Sequence, residues 1–277
     1  MPRNEDHSRQ LATNTPLRGT TPPTSARQRA PEAMLGLAKG LAIIEAFGEN
    51  HTQMTVSTAA RMTGLHRATA RRCLLTLTDA GYLSFDGKYF HPTPRMLRLG
   101  QTYMNAAGLP QIAEPFLKAA RDELRESVSL AIYENGNSLF VARAQAEQIV
   151  MIGIGVGTRL PAYTCATGRV LLTTLTPAAL TDYLKQCKPE ARTAKTLVDL
   201  AAIRKAIESV ATTRYAITDE ELSLGMVSLA TPVINAAGEI IAAMSVSAFT
   251  ARITLKEMIK TFLPVLVRQA ERLGRAL

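Results

Sequence analysis

The residues with the clearest chemical potential form two groups, one near each end of the chain. The first is basic. His66, Arg67, Thr69, Arg71 and Arg72 fall within seven residues, with Arg61 just before them and Lys88 just after. Residues 61–108 carry a net charge of +5. Residues 109–277, more than three times as many, hold 19 basic and 16 acidic side chains. The overall +9 is therefore densest in one short stretch. Such density suits a phosphate backbone as partner. A solvated basic face is the plainer alternative, and charge alone does not separate the two.

The second group is a set of small hydroxyls inside apolar runs. Ser245 and Ser247, two apart in AAMSVSAF, share one face of a strand. Ser228 sits similarly in GMVSLATP. TCATGR brings Thr164, Thr167 and main-chain amides to a helix start, and Arg159 lies just before it in GTRLPAY. A few hydroxyls, helix-start amides and one arginine in an apolar cavity suit a small carboxylate ligand. The alternative is that each hydroxyl satisfies its own backbone.

Catalysis finds little support. G-x-S-x-G, H-E-x-x-H and P-loop patterns are absent. All four histidines precede residue 92, so the second half lacks the commonest general base. Glu220 and Glu221 are adjacent, and neighbours on a strand point to opposite faces. Cys165 has no histidine partner. The three cysteines are scattered, with no C-x-x-C spacing, which argues against disulfides or a zinc site and fits a reducing cytosol. The opening MPRNEDHSRQ lacks the apolar core of a signal peptide, and no run reaches the roughly 18 apolar residues of a membrane span. The expectation is a cytoplasmic protein that uses no cofactor, no metal and no membrane.

The elements that must position these residues follow from periodicity. Residues 1–33, rich in Pro, Thr, Arg and Ser, read as a flexible basic arm. LGLAKGLAIIEAFG predicts a first helix with Leu37, Leu41, Ile44 and Phe47 along one face. A short helix follows, capped by Thr55 or Ser57, carrying Ala59, Ala60 and Met62 and stopped by Gly64. A third buries Ala70, Cys73, Leu74 and Leu77, ends at Gly81 and turns its arginines outward. YLSFDGKYFHP predicts a hairpin at Asp86-Gly87. Three helices and a hairpin over 34–92 make a winged helix-turn-helix. Its third helix fits a major groove, with Arg67, Thr69 and Arg71 toward the bases and Lys88 on the wing tip.

Residues 93–108 predict a linker helix that assists dimerisation. From Leu109 to residue 277 the pattern is α+β. An amphipathic helix uses Ile112, Phe116, Ala120 and Leu124. Strand-like runs follow at SLAIYENG, NSLFVARAQ, QIVMIGIG, YAITDEE, GMVSLATPVIN and EIIAAMSVSAF, with helices between and after them. One antiparallel sheet with helices on its faces is a sensory-type α+β domain.

LAKGLAIIEAFG, RMTGLHRATARRCLLTLTDAGYL, TPRMLRLG, VGTRLPAYTCATGRVLL and TDEELSLGMVSLATPV together resemble the IclR-type bacterial transcription regulators, from about Leu35 onward. GLAKGLAIIEAFG and GTRLPAY look most like the branch that governs aromatic-acid catabolism. That branch answers to protocatechuate, 4-hydroxybenzoate, β-ketoadipate or related acids, and its members are often activators. The resemblance implies a winged helix, a linker helix, a GAF-like effector domain, and dimers that pair into tetramers. It also implies effector contacts at Ala166 and Thr167, at Met226 and Ser228, and at Ser245 and Ser247. An Asp that some relatives place in the TDEE segment aligns here with Thr218 or Asp219.

The expected DNA-binding residues are Arg61, His66, Arg67, Thr69, Arg71, Arg72 and Lys88. The expected effector-binding residues are Arg159, Tyr163, Ala166, Thr167, Met226, Ser228, Ser245 and Ser247, with Arg159 inferred from its residue type as the carboxylate partner. The partners would be a pseudo-palindromic DNA operator, a small carboxylate, a second copy of the chain and, for an activator, RNA polymerase. The competing reading is a constitutive repressor whose C-terminal domain only oligomerises.

Overall fold

The computed structural model describes residues 34–48, 51–106, 108–147 and 153–277. The expected basic arm, 1–33, and most of the run 148–155 lie outside them.

The first unit is helix α1 (Leu35–Glu45), α2 (Val56–Thr63), α3 (Arg67–Asp79), and a two-stranded wing of β1 (Leu83–Phe85) and β2 (Phe90–Pro92). Thr55 is the N-cap of α2, its Oγ accepting from the Thr58 amide, and Gly64 closes that helix at φ +67°. At the end of α3 the Tyr82 amide reaches the Leu77 carbonyl and the Gly81 amide that of Thr78. This double bond pattern needs a left-handed residue, and Gly81 supplies it at φ +77°. The core is Ile43, Met54, Ala59, Ala70, Leu74, Leu83 and Phe90. Met54 and Phe90 exchange both backbone hydrogen bonds, which ties the wing to the start of α2.

Two apolar stripes read from the sequence are not wholly buried. Helix α1 buries Ile43, while Leu37 and Leu41 are 61% and 46% exposed. LGLAKGLAIIEAFG is apolar on several faces, so its periodicity fits more than one stripe. Met62 is also exposed, because α2 rests on α3 through Ala59.

After a 3₁₀ turn at Pro94–Met96 come α4 (Leu97–Ala106) and α5 (Gly108–Leu124). The buried ridge of α5 is Ala113, Leu117, Ala120 and Leu124; Ile112 and Phe116 flank it, half-buried. The second unit is a six-stranded antiparallel sheet in the order β5-β4-β3-β8-β7-β6. Its strands are β3 (Val128–Glu134), β4 (Asn137–Ala144), β5 (Arg159–Pro161), β6 (Ala216–Asp219), β7 (Met226–Ile234) and β8 (Ile240–Phe249). The predicted strand near 148–155 is absent from its described end, and β5 starts later, at Arg159. Asn135-Gly136 turns the first hairpin with both residues at positive φ.

The two sheet faces are covered differently. One packs against α5 and the C-terminal helix, α9 (Leu255–Glu257) leading through a π-turn at Met258–Phe262 into α10 (Leu263–Arg275). The other meets α6 (Ala166–Leu172), backed by α7 (Pro177–Gln186) and α8 (Leu200–Thr213). Among the described residues no helix is long and apolar enough to cross a membrane.

Candidate DNA-binding face and effector cleft

Arg67, Arg71 and Arg72 are exposed along α3, Arg61 on the last turn of α2, and Lys88 on the wing. None of the five forms an ion pair among the described residues. Arg67 and Arg71, one helical turn apart, share a face. With Thr55, Ser57, Phe85 and Lys88 they line a groove of about 330 Å³ between α3, the start of α2 and the wing. Thr69 lies elsewhere: two residues from Arg67 it is turned by about 200° and stands half-buried on the flank. His66 is the N-cap of α3, its Nδ1 accepting from the Ala68 amide at 3.4 Å, so its ring sits at the helix start.

The wing is preorganised by one carboxylate. Asp86 accepts from the amides of Lys88 (2.8 Å) and Tyr89 (2.7 Å) and from His91 Nε2 (3.0 Å). The Tyr89 amide, then His91 and the Lys88 amide, hold its carboxyl well below the ordinary carboxylate range. Lys88 Nζ lies 4.9 Å from the centre of the Tyr89 ring. The Phe85 and Phe90 rings stack across the strands at 4.4 Å.

In the second unit, strand register decides which polar groups meet. Ser129 pairs with Ser245, and Ser245 with Ala230; Ser228 pairs with Ser247 and with Thr218. Side chains alternate along each strand, so Ser129, Ser245, Ser247, Ser228 and Thr218 share the α6-side face. Ser228 and Ser247 are half-buried and share a 2.8 Å hydrogen bond. Ser129 and Ser245 are 3% and 6% exposed.

Ser129 also pairs with Arg143 on β4. Arg143 is half-buried, and its Nη1 donates to Ser129 Oγ at 2.9 Å. Burial pulls the guanidinium down from its ordinary value. No carboxylate pairs with it among the described residues. A guanidinium has five donors, and among the described residues Ser129 is the acceptor given for them. Sequence reasoning missed this residue. The available signal was an arginine inside SLFVARA, a run otherwise made of small and apolar residues.

The arginine chosen from the sequence is elsewhere. Arg159 lies on edge strand β5 one residue before Leu160, which packs in the α6-side core, so Arg159 points away from it. Its Nε donates to Glu134 at 2.6 Å, and that bond raises its pKa further. Tyr163 is also outside the cleft. Its ring packs with Leu180, Leu184 and Ile207, and its hydroxyl accepts from the Glu190 amide at 3.0 Å. Ala166 and Thr167 stand at the start of α6, buried. The Thr167 hydroxyl is taken up by Ser138 (2.8 Å), with Cys165 Sγ at 3.4 Å. Burial pushes the Cys165 thiol up, consistent with a packing role. Met226 is buried at the head of β7. Of the two positions considered in TDEE, Thr218 lies on the cleft face, while Asp219 faces away and pairs with Lys195 at 3.2 Å. Glu220 goes to Lys195 and Glu221 to Arg169, so the adjacent carboxylates form no acid–base pair.

Two separable chemistries result: a cationic surface on a winged helix, without ion pairs among the described residues, and a hydroxyl-lined sheet face that carries the Arg143 guanidinium. Comparison with known proteins agrees with this division. Residues 36–87 match the IclR helix-turn-helix domain, and residues 101–275 match the bacterial transcriptional regulator IclR C-terminal domain. The chain is 36% identical over 238 residues to the Pca regulon regulatory protein of Pseudomonas putida, covering 86% of this chain and 82% of that one. It is 33% identical over 257 residues to the p-hydroxybenzoate hydroxylase transcriptional activator of Acinetobacter baylyi, covering 91% and 95%. Among solved structures it resembles a double mutant of the PobR transcription factor inducer-binding domain from Acinetobacter, in complex with 3-hydroxybenzoic acid. That match has 28% identity and a TM-score of 0.58, covering 62% of this chain and all of the other. The protein belongs to the IclR family of bacterial transcriptional regulators.

Proposed function

We propose that this regulator senses a small aromatic carboxylate and controls genes for aromatic-acid catabolism. The observation that carries the reading is Arg143, a half-buried guanidinium with one hydroxyl partner, on the same sheet face as Ser129, Ser245, Ser247 and Ser228. A benzoate-type ligand sets its carboxylate on Arg143 and Ser129. Its ring lies over the small side chains of β8 and β7, and a ring hydroxyl reaches the Ser228–Ser247 pair. The relatives named above regulate Pca and p-hydroxybenzoate functions, and one neighbour holds 3-hydroxybenzoic acid.

DNA binding falls to Arg67, Arg71 and Arg72 on α3, with Lys88 and Arg61 on phosphates. Two copies reading two half-sites need a self-interface. The exposed apolar side chains of α1 (Met34 at its N-cap, Leu37, Leu41) and of α4 (Leu97, Leu99, Tyr103) are the surface we assign to it. The protein works in the cytoplasm, and activation of transcription would add a contact to RNA polymerase.

The test is a thermal-shift and calorimetric screen of the full chain against hydroxybenzoates, protocatechuate and keto acids. Ligand that binds only the folded state raises its stability. A hit among the aromatic acids is expected. Failure of every carboxylate, with DNA binding intact, would leave the constitutive repressor as the better reading.

A further inference from the structure

Arg169 and Glu221 stand 52 residues apart in the chain, yet they form a bidentate pair at 2.8 and 2.6 Å. Both are almost fully buried, with side chains 3% and 8% exposed. The guanidinium also donates to the Ile217 carbonyl of β6 (3.0 Å) and the Tyr163 carbonyl ahead of α6 (3.2 Å). Glu221 in turn accepts from the Leu197 amide at 3.2 Å, and Thr196 Oγ donates to the Glu221 carbonyl at 2.6 Å. One ion pair therefore gathers three segments: the start of α6, the β6–β7 connection and the loop before α8.

The first two of these carry residues assigned above to the effector site. Two residues before Arg169 is Thr167, and three residues after Ile217 the chain enters the loop that delivers Met226 and Ser228. Helix α6 is short, seven residues, and has no side-chain cap. Gly168 seats it by close approach, since a Cβ there would lie 2.1 Å from the Ala162 carbonyl oxygen. On the β6 side, Glu220 holds a left-handed conformation at φ +54°, uncommon for a side-chain-bearing residue. Glu220 is held locally, its carboxylate accepting from the Gly225 amide (2.8 Å) and Lys195 Nζ (2.6 Å), but these bonds do not reach α6; the buried fork does, and charged bidentate hydrogen bonds fix direction as well as distance.

We infer that Arg169 and Glu221 are positioning residues, a brace that sets the separation of the α6 and β6–β7 segments and so tunes effector affinity without touching the ligand. The inference rests on the effector-cleft reading above. Breaking one partner of a buried pair leaves the other uncompensated, whereas a mere packing contact would soften only its own segment.

The experiment is amide hydrogen exchange on the full-length protein, comparing wild type with Glu221→Gln and Arg169→Met, each of which leaves the other partner's charge buried and unpaired, alongside calorimetric binding of 4-hydroxybenzoate. Leu273→Ala, fully buried on α10 behind the other sheet face, controls for general destabilisation. In both brace variants, exchange at 163–169 and at 217–226 should rise together by about 100-fold. Binding should weaken by about 10-fold. The control should do neither, despite a lower Tm. Acceleration in only one segment, in neither, or equally in the control would overturn the brace, as would coupled acceleration with affinity unchanged. If wild type binds no hydroxybenzoate at all, the effector reading fails, and the exchange data still decide whether the pair ties the two segments together.

Discussion

Replacing Arg143 by Met removes the positive charge from the cleft while keeping an unbranched side chain that fills similar space. In the free protein this variant loses little. The guanidinium makes one described hydrogen bond, to Ser129, and burial already disfavours its charge. Folding stability is therefore expected to hold or rise slightly. Binding tells the opposite story. Hydrogen bonds to a charged group contribute about 1.5–3 kcal/mol, which corresponds to roughly a 10- to 150-fold loss of affinity. With ligand at 100 times the wild-type Kd, wild type gains about 2.7 kcal/mol of stability. A variant weakened 100-fold gains only about 0.4 kcal/mol at that concentration. Differential scanning calorimetry with and without 4-hydroxybenzoate reads both quantities in one series. Arg143→Lys restores charge but not the fork and should fall between. If Arg143→Met showed the full wild-type thermal shift, the carboxylate would sit elsewhere and the assignment would be wrong.

Other consequences follow from the same geometry. Arg67→Ala and Arg71→Ala should each weaken operator binding and flatten the dependence of log K on log salt by about 0.9, with effector affinity unchanged; electrophoretic shifts across a salt series check this. Asp86→Ala removes the acceptor that closes the wing, so amide exchange at Lys88 and Tyr89 should accelerate and DNA binding should fall. In the wild type, Asp86 has its carboxyl pKa lowered by folding, so its contribution is complete above the ordinary value near pH 4 and fades only as pH drops below that; a carboxyl titration by NMR would show it. Gly168→Ala forces a methyl group against the Ala162 carbonyl and should cost about 1–3 kcal/mol in chemical denaturation. Leu37→Glu with Leu41→Glu should shift sedimentation toward monomer while the far-UV circular dichroism stays near wild type, since both side chains are exposed in one copy, and the melting temperature should lose its dependence on protein concentration.

What could be read from the sequence was what local physics determines. The caps, the Gly81 stop, the Asp86 turn and the outward arginines of α3 depend on neighbours within one or two helical turns. Ser245 and Ser247 could be assigned to one face because a strand alternates with period two. Errors arose where position depended on distant segments. Arg143 reaches the cleft through pairing with Ser129, past a register shift between Leu130 and Ala131, and then through β8 lying beside β3. None of this is visible in SLFVARA alone. Arg159 looked suitable because it precedes α6 in the chain, yet proximity along an edge strand does not fix which face a side chain takes. The α1 stripe lies on a segment apolar on several sides, where only packing against α3 selects Ile43. The Arg169–Glu221 pair joins TCATGR and TDEE, 52 residues apart, and nothing local in either shows that they meet.

In the proposed mechanism one chain couples a duplex-binding face to a site for a small carboxylate. Linkage makes that coupling quantitative: if effector changes operator affinity by some factor, operator must change effector affinity by the same factor. The direct measurement is a calorimetric cycle on the full-length protein, titrating 4-hydroxybenzoate with and without saturating operator, and operator with and without 4-hydroxybenzoate. The account predicts equal, non-unit factors on both arms, lost in Arg143→Met. Effector binding that is identical on and off DNA would contradict it.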